Sequence, residues 1–175
     1  MNHDIAPVDQ RPGKVSGVRE ASDFVSVVIE DQLFGIPVLQ VRDVLASQRI
    51  TRVPLAPPEV AGSLNLRGRI VTAIDLRTRL GLPERSAEQS SGKARMSVVV
   101  DHGGELYSLM VDSVGEVLSL SEASFERNPA TLDARWREVS GGIYRLDGAL
   151  LVVLDVTRLL AISARSTAIA RSQAA

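Results

Sequence analysis

Two histidines and no cysteine leave this 175-residue chain little nucleophilic or metal-ligating chemistry. His102 sits in the run Asp101-His102-Gly103-Gly104, a tight turn in which an imidazole is solvated rather than poised as a base. His3 lies near the start, in a stretch without apolar periodicity. With no thiolates and no second histidine near either one, zinc coordination is excluded. Asp112 and Glu116 are four residues apart, a spacing that could set two carboxylates to general acid–base work. With no polar partner evident nearby, they read instead as a solvated face following a strand. No Gly-x-Ser-x-Gly, Gly-x-Gly-x-x-Gly or Walker pattern occurs, and Gly13-Lys14 and Gly92-Lys93 fall in segments of linker composition. The inventory favours a binding module over an enzyme.

What the chain does possess is a duplicated plan. LFGIPVLQVRDVL (33–45) returns without a gap as LYSLMVDSVGEVL (106–118), with Leu33, Val38, Val41, Val44 and Leu45 recurring as Leu106, Val111, Val114, Val117 and Leu118. LNLRGRIVTAIDLRTRL (64–80) returns as YRLDGALLVVLDVTRLL (144–160). The first pair is offset by 73 residues (Leu33 to Leu106) and the second by 80 (Leu66 to Leu146), so the second copy carries seven extra residues. Each hydrophobic pattern must satisfy the same packing twice, which implies two similar small domains.

One position in the repeat breaks a local rule. Arg67-Gly68 superposes on Asp147-Gly148, yet a two-residue type I′ turn wants Asn, Asp or Gly first, because that residue takes a positive φ. Arginine there is strained. Local violations of this kind gather at functional sites, and an arginine projected from a hairpin tip is a forked donor for a partner carboxylate. Asp43, two residues after the apolar Val41, presents a matching negative charge.

The elements that must position these residues are mostly strands. Residues 1–22 read as a disordered arm. Phe24–Ile29 and Leu33–Val38 form a first hairpin, Val41–Leu45 one helical turn, and Arg49–Val53 a third strand. Gly62–Leu66 and Arg69–Ile74 form a second hairpin, with Ile70 in its core, and Asp75 caps a short helix, Leu76–Leu80. Residues 84–94 lack large apolar side chains and read as a flexible linker. The plan then repeats: Met96–Val100 pairs with Glu105–Val111, Ser140–Leu146 with Ala149–Leu154, and Asp155 caps Val156–Ile162. Residues 163–175 form an Ala- and Ser-rich tail. The expected domains are a first barrel over 23–83 and a second over 95–162. Five short strands per half at turn spacings near ten residues point to small closed barrels, and units of that size need an apolar seam between them.

The totals narrow the function classes. A net charge of −1, a pI near 6.1 and six aromatic residues give neither a positive field nor a stacking platform for nucleic acid. No run of about eighteen apolar residues is present for a membrane span, and the opening residues do not read as a secretory signal. The absence of cysteine fits a cytoplasmic setting.

The phrases FGIPVLQVRDVL, ITRVPLAPPEVAGSLNLRGRIVTAIDLRTRLGL and LMVDSVGEVLSL, in this order, resemble the bacterial chemotaxis coupling protein family, CheW, from about Asp23 to Ile162. The resemblance implies a mainly β fold: two tandem five-stranded SH3-like barrels with short helices, packed around a hydrophobic seam. It also implies a non-enzymatic adaptor, without cofactor or metal, joining the regulatory domain of the histidine kinase CheA to the cytoplasmic tips of chemoreceptors at membrane-associated arrays. Matched by motif, the receptor-contacting arginine falls on Arg67 and the surrounding surface on Val41 and Asp43, with Asn65 and Leu66 supporting the turn. Asp43 stands where the family commonly has glutamate, and residues 121–139 depart from the repeat, leaving the kinase-contacting residues unassigned. The alternative from the residues alone is a ligand-binding or enzymatic barrel pair using the groove between its halves.

Overall fold

The structure is a computed structural model describing residues 20–92 and 94–161. Most of the expected arm and the whole of the 163–175 tail lie outside the described residues. In chain order the strands are β1 (Ala21–Ile29), β2 (Gln32–Pro37), β3 (Val41–Leu45), β4 (Val60–Leu66), β5 (Arg69–Asp75), β6 (Met96–His102), β7 (Glu105–Val111), β8 (Ser113–Ser121), β9 (Phe125–Glu126), β10 (Ser140–Leu146) and β11 (Ala149–Leu154). Short helices α1 (Leu76–Arg79), α2 (Ala87–Ser90) and α3 (Ala134–Val139) intervene, and residues 156–161 are helical.

Two sheets result, one six-stranded in the order β8-β1-β2-β11-β10-β9 and one five-stranded in the order β3-β6-β7-β5-β4. They do not follow the two halves of the chain. The first hairpin of each half leaves its own half: β1–β2 joins β8 and β11, while β6–β7 joins β3 and β5. The trade is symmetric, because β2 pairs parallel with β11 as β7 pairs parallel with β5. The five-stranded sheet therefore occupies one continuous stretch, 41–111, and among the described residues the chain crosses between the sheets twice, at Val38–Gln40 and at Asp112. The segment after β3 folds back onto β4, where Thr51 and Ser63 exchange N–H···O bonds of 2.8 Å each.

Alternation on the strands explains both barrels and seam. On β6, Val98 and Val100 enter a large cluster with Ile74, Leu109 and Val111, while Val99 faces a small one with Leu64, Val71, Ala73 and Leu106. On the other sheet, Val25, Val27, Ile29, Phe34 and Ile36 enter the same large cluster, while Phe24, Tyr144, Leu151 and Val153 form a third. Strands buried on both faces read as continuous apolar runs, as in MSVVVD and LLVVL. Each fully buried branched side chain is worth about 1.5–3 kcal/mol, so the large cluster between the sheets is the main stabilising layer, the seam expected from sequence.

Local expectations fare unevenly. Asp75 caps α1, its Oδ1 accepting from Arg77 N at 2.9 Å and Thr78 N at 3.5 Å. Asp155 Oδ1 accepts from Arg158 N at 3.0 Å in the second copy. Val41–Leu45 is a strand, not a helical turn; the helical element is the 3-10 turn Val38–Gln40 just before it. Arg49–Val53 makes only the single Thr51–Ser63 bridge. The 84–94 linker contains α2, closed by a capping box in which Ser86 and Gln89 bond each other's backbone N–H. Ile70 is 71% exposed and belongs to no core cluster. It lies on the face through which Ile74 enters the seam, but beyond the seam's end.

Candidate docking surface

Arg67 occupies the tip between β4 and β5 with φ +50, followed by Gly68 at φ +85, the left-handed pair of a type I′ turn. Asn65 Oδ1 accepts from Gly68 N at 2.8 Å and closes the tip. The second copy behaves differently: at Asp147-Gly148 only Gly148 has a positive φ, so the aspartate suited to that conformation does not adopt it and the arginine does.

The structure brings the candidate residues together. A bulge at Arg42 shifts the register of β3, so Val41 pairs with Val100 and packs on the seam, while Asp43 pairs with Val99, over the five-stranded barrel. Asp43 there meets Arg67, Nη2 to Oδ2 at 3.2 Å. This contact also links the first and last strands of that sheet. Asp43 Oδ1 accepts from Val44 N at 2.9 Å, which fixes the carboxylate. Leu66 packs against the barrel core beneath. The arginine remains 82% exposed at its side chain, so most of its donors are turned outward. Ile70, exposed, lies directly opposite Asn65 on β5 at the same hairpin, and Leu39 is 92% exposed in the turn that precedes β3.

Sequence reasoning missed a second polar centre. Asp112 is not a solvated acid: Arg77, itself buried, donates to it through Nε (2.9 Å to Oδ1) and Nη2 (2.7 Å to Oδ2). Glu30 N donates to Oδ2 at 2.6 Å, and Arg77 Nη1 donates to Pro83 O at 2.7 Å. Burial alone would raise the Asp112 carboxyl; the Arg77 hydrogen bonds, the Glu30 amide and the charges of Arg77 and Arg85 outweigh it and hold it below the usual carboxylate range. Glu116 is exposed and unrelated to it, so the two carboxylates form no acid–base pair. A cavity of about 460 Å³ beside this centre is lined by Asp75, Arg77, Thr78, Glu84, Arg85 and Arg95 among others. Two of its three arginines are taken by carboxylates of the chain, Arg77 by Asp112 and Arg95 by Asp75 at 2.9 Å, while the third, Arg85, lies 3.9 Å from Asp112 and donates to Gln89 O.

The fold defines a class: a mainly β protein of two packed, SH3-like sheets. The CheW-like domain model matches residues 23–164, and the chain belongs to that family. It is 26% identical over 147 residues to the chemotaxis protein CheW of Klebsiella aerogenes, covering 84% of this chain and 86% of the relative. It is 28% identical over 141 residues to the chemotaxis protein CheW of Helicobacter pylori, covering 81% and 82%. The crystal structure of the scaffolding protein TtCheW from Thermoanaerobacter tengcongensis superposes with a TM-score of 0.71 at 28% identity, covering 81% of this chain and 93% of that one. The family is one of scaffolds in chemotaxis.

Proposed function

We propose that this chain couples the cytoplasmic tip of a chemoreceptor to the regulatory domain of a CheA-type histidine kinase, in the cytoplasm at membrane-associated arrays, and that the receptor docks around Arg67. The observation that carries the site is the strained, outward-facing Arg67 held at 3.2 Å from Asp43, on the strand that Val41 opens, with exposed Ile70 opposite Asn65 at the same hairpin. Such a surface offers apolar area for a helix and a forked cation for its carboxylates. Asn65 closes the turn and Leu66 anchors it to the core, so both serve by positioning Arg67. Chemistry plays no part in this role; binding two partners at once raises their effective concentration for one another.

Co-sedimentation with receptor fragments tests the site. Arg67→Glu should weaken binding by about 2–4 kcal/mol, the range of an interface hot spot, while circular dichroism stays that of the parent. A folded Arg67→Glu protein that co-sediments as the parent does removes Arg67 from the surface.

A further inference from the structure

The two crossovers between the sheets are equivalent in the repeat but built differently. Leu39 and Asp112 occupy corresponding positions, 73 residues apart. At the second crossover Asp112 is gripped by the Arg77 guanidinium from the five-stranded side and by the Glu30 amide from the β1–β2 turn of the six-stranded side. Its own N–H donates to Val28 O at 3.1 Å, again on β1. At the first crossover the residues equivalent to Asp112, Arg77 and Glu30 are Leu39, Thr157 and Gly103, which cannot form an ion pair. There Leu39 is 92% exposed, and the chain passes through a short 3-10 turn with Val41 N bonded to Val38 O.

We propose that Asp112 and Arg77 are positioning residues that latch one crossover and thereby fix the angle between the barrels. A pair of charges at a packed junction is a poor source of net stability but a strict one of geometry, because breaking its bidentate contact strands both groups. The groups facing Asp112 are Arg77, Arg85, Glu30, Asp31 and Gln89, and of the carboxylates it is Asp112 that the Arg77 guanidinium grips through two nitrogens. The inference concerns the angle alone and stands whichever partner docks at Arg67.

The absence of native cysteine makes paired spin labels at Glu105, on β7, and Ser119, on β8, a direct measure of that angle by pulsed electron resonance. The parent should give one narrow distance component. In Asp112→Asn, and in the apolar double variant Arg77→Met with Asp112→Leu, that component should broaden while cooperative unfolding and circular dichroism are retained. A folded variant with an unchanged narrow component overturns the proposal. If neither variant folds, the labelled parent decides: acid titration should broaden the component before global unfolding, and a width constant up to unfolding overturns the latch.

Discussion

Replacing Arg67 by asparagine should make the protein more stable and a poorer binder at once. A left-handed residue other than glycine, asparagine or aspartate costs about 1–2 kcal/mol, and Arg67 sits at φ +50. Asparagine relieves most of that. What is lost is the pair with Asp43, at 3.2 Å but with the arginine side chain 82% exposed, worth about 0.2–1 kcal/mol. The Asn65–Gly68 bond is backbone-directed and survives. The balance is a gain of about 0.5–1 kcal/mol, seen as a higher urea midpoint at unchanged slope and as a melting temperature raised by about 2–4 °C per kcal/mol. Receptor co-sedimentation should fall in the same protein. Asp147→Asn is the control: Asp147 has no positive φ, so its stability should move by less than about 0.5 kcal/mol. An Arg67→Asn protein less stable than the parent by about 1 kcal/mol or more would show that the turn stores no strain and that the reasoning from it is wrong.

Three further outcomes are expected. Gly62 lies at a β4 bulge with φ +149, and a Cβ there would run into the Thr51 carbonyl, which accepts from Ser63 N; Gly62→Ala should lose about 3 kcal/mol or more in urea unfolding. Ile70→Asp, at a position 71% exposed, should change stability by no more than about 0.5 kcal/mol while weakening receptor co-sedimentation. The Asp112 carboxyl is held below its ordinary 3.8, so its contribution is complete above that unfolded value and fades as pH falls through the lower folded one. The stability gap between parent and Asp112→Asn should therefore be constant above about pH 5 and narrow as pH falls below 3.8, and a gap independent of acid below that value would contradict the assignment.

Much of the fold was legible because the repeat doubled every signal. The hairpins, the Asp75 and Asp155 caps, the seam and the anomaly at Arg67 all follow from residue type and period. The trading of first hairpins was not legible, since both copies carry the same apolar pattern and either sheet satisfies β1–β2 equally well. Ile70 was misread for a related reason: alternation fixes which face it shares with Ile74, not where the seam stops. Asp112 looked solvated because Arg77 is 35 residues away in the chain, beyond any local spacing rule; the nearest clue was that its counterpart Leu39 is apolar. The helix α2 did have a readable signature in Ser86 and Gln89, a capping box hidden by the polar composition around it.

A single copy of the repeat, made alone, would hold two β ribbons that belong to different sheets and would have a place for only one of them. It would complete its pairing by lending the other to a twin and borrowing in return, an association that weakens on dilution. Tying both copies into one polypeptide removes that dependence on concentration. It also means that severing the chain between residues 84 and 94 should leave two fragments, each unable to fold until mixed with the other.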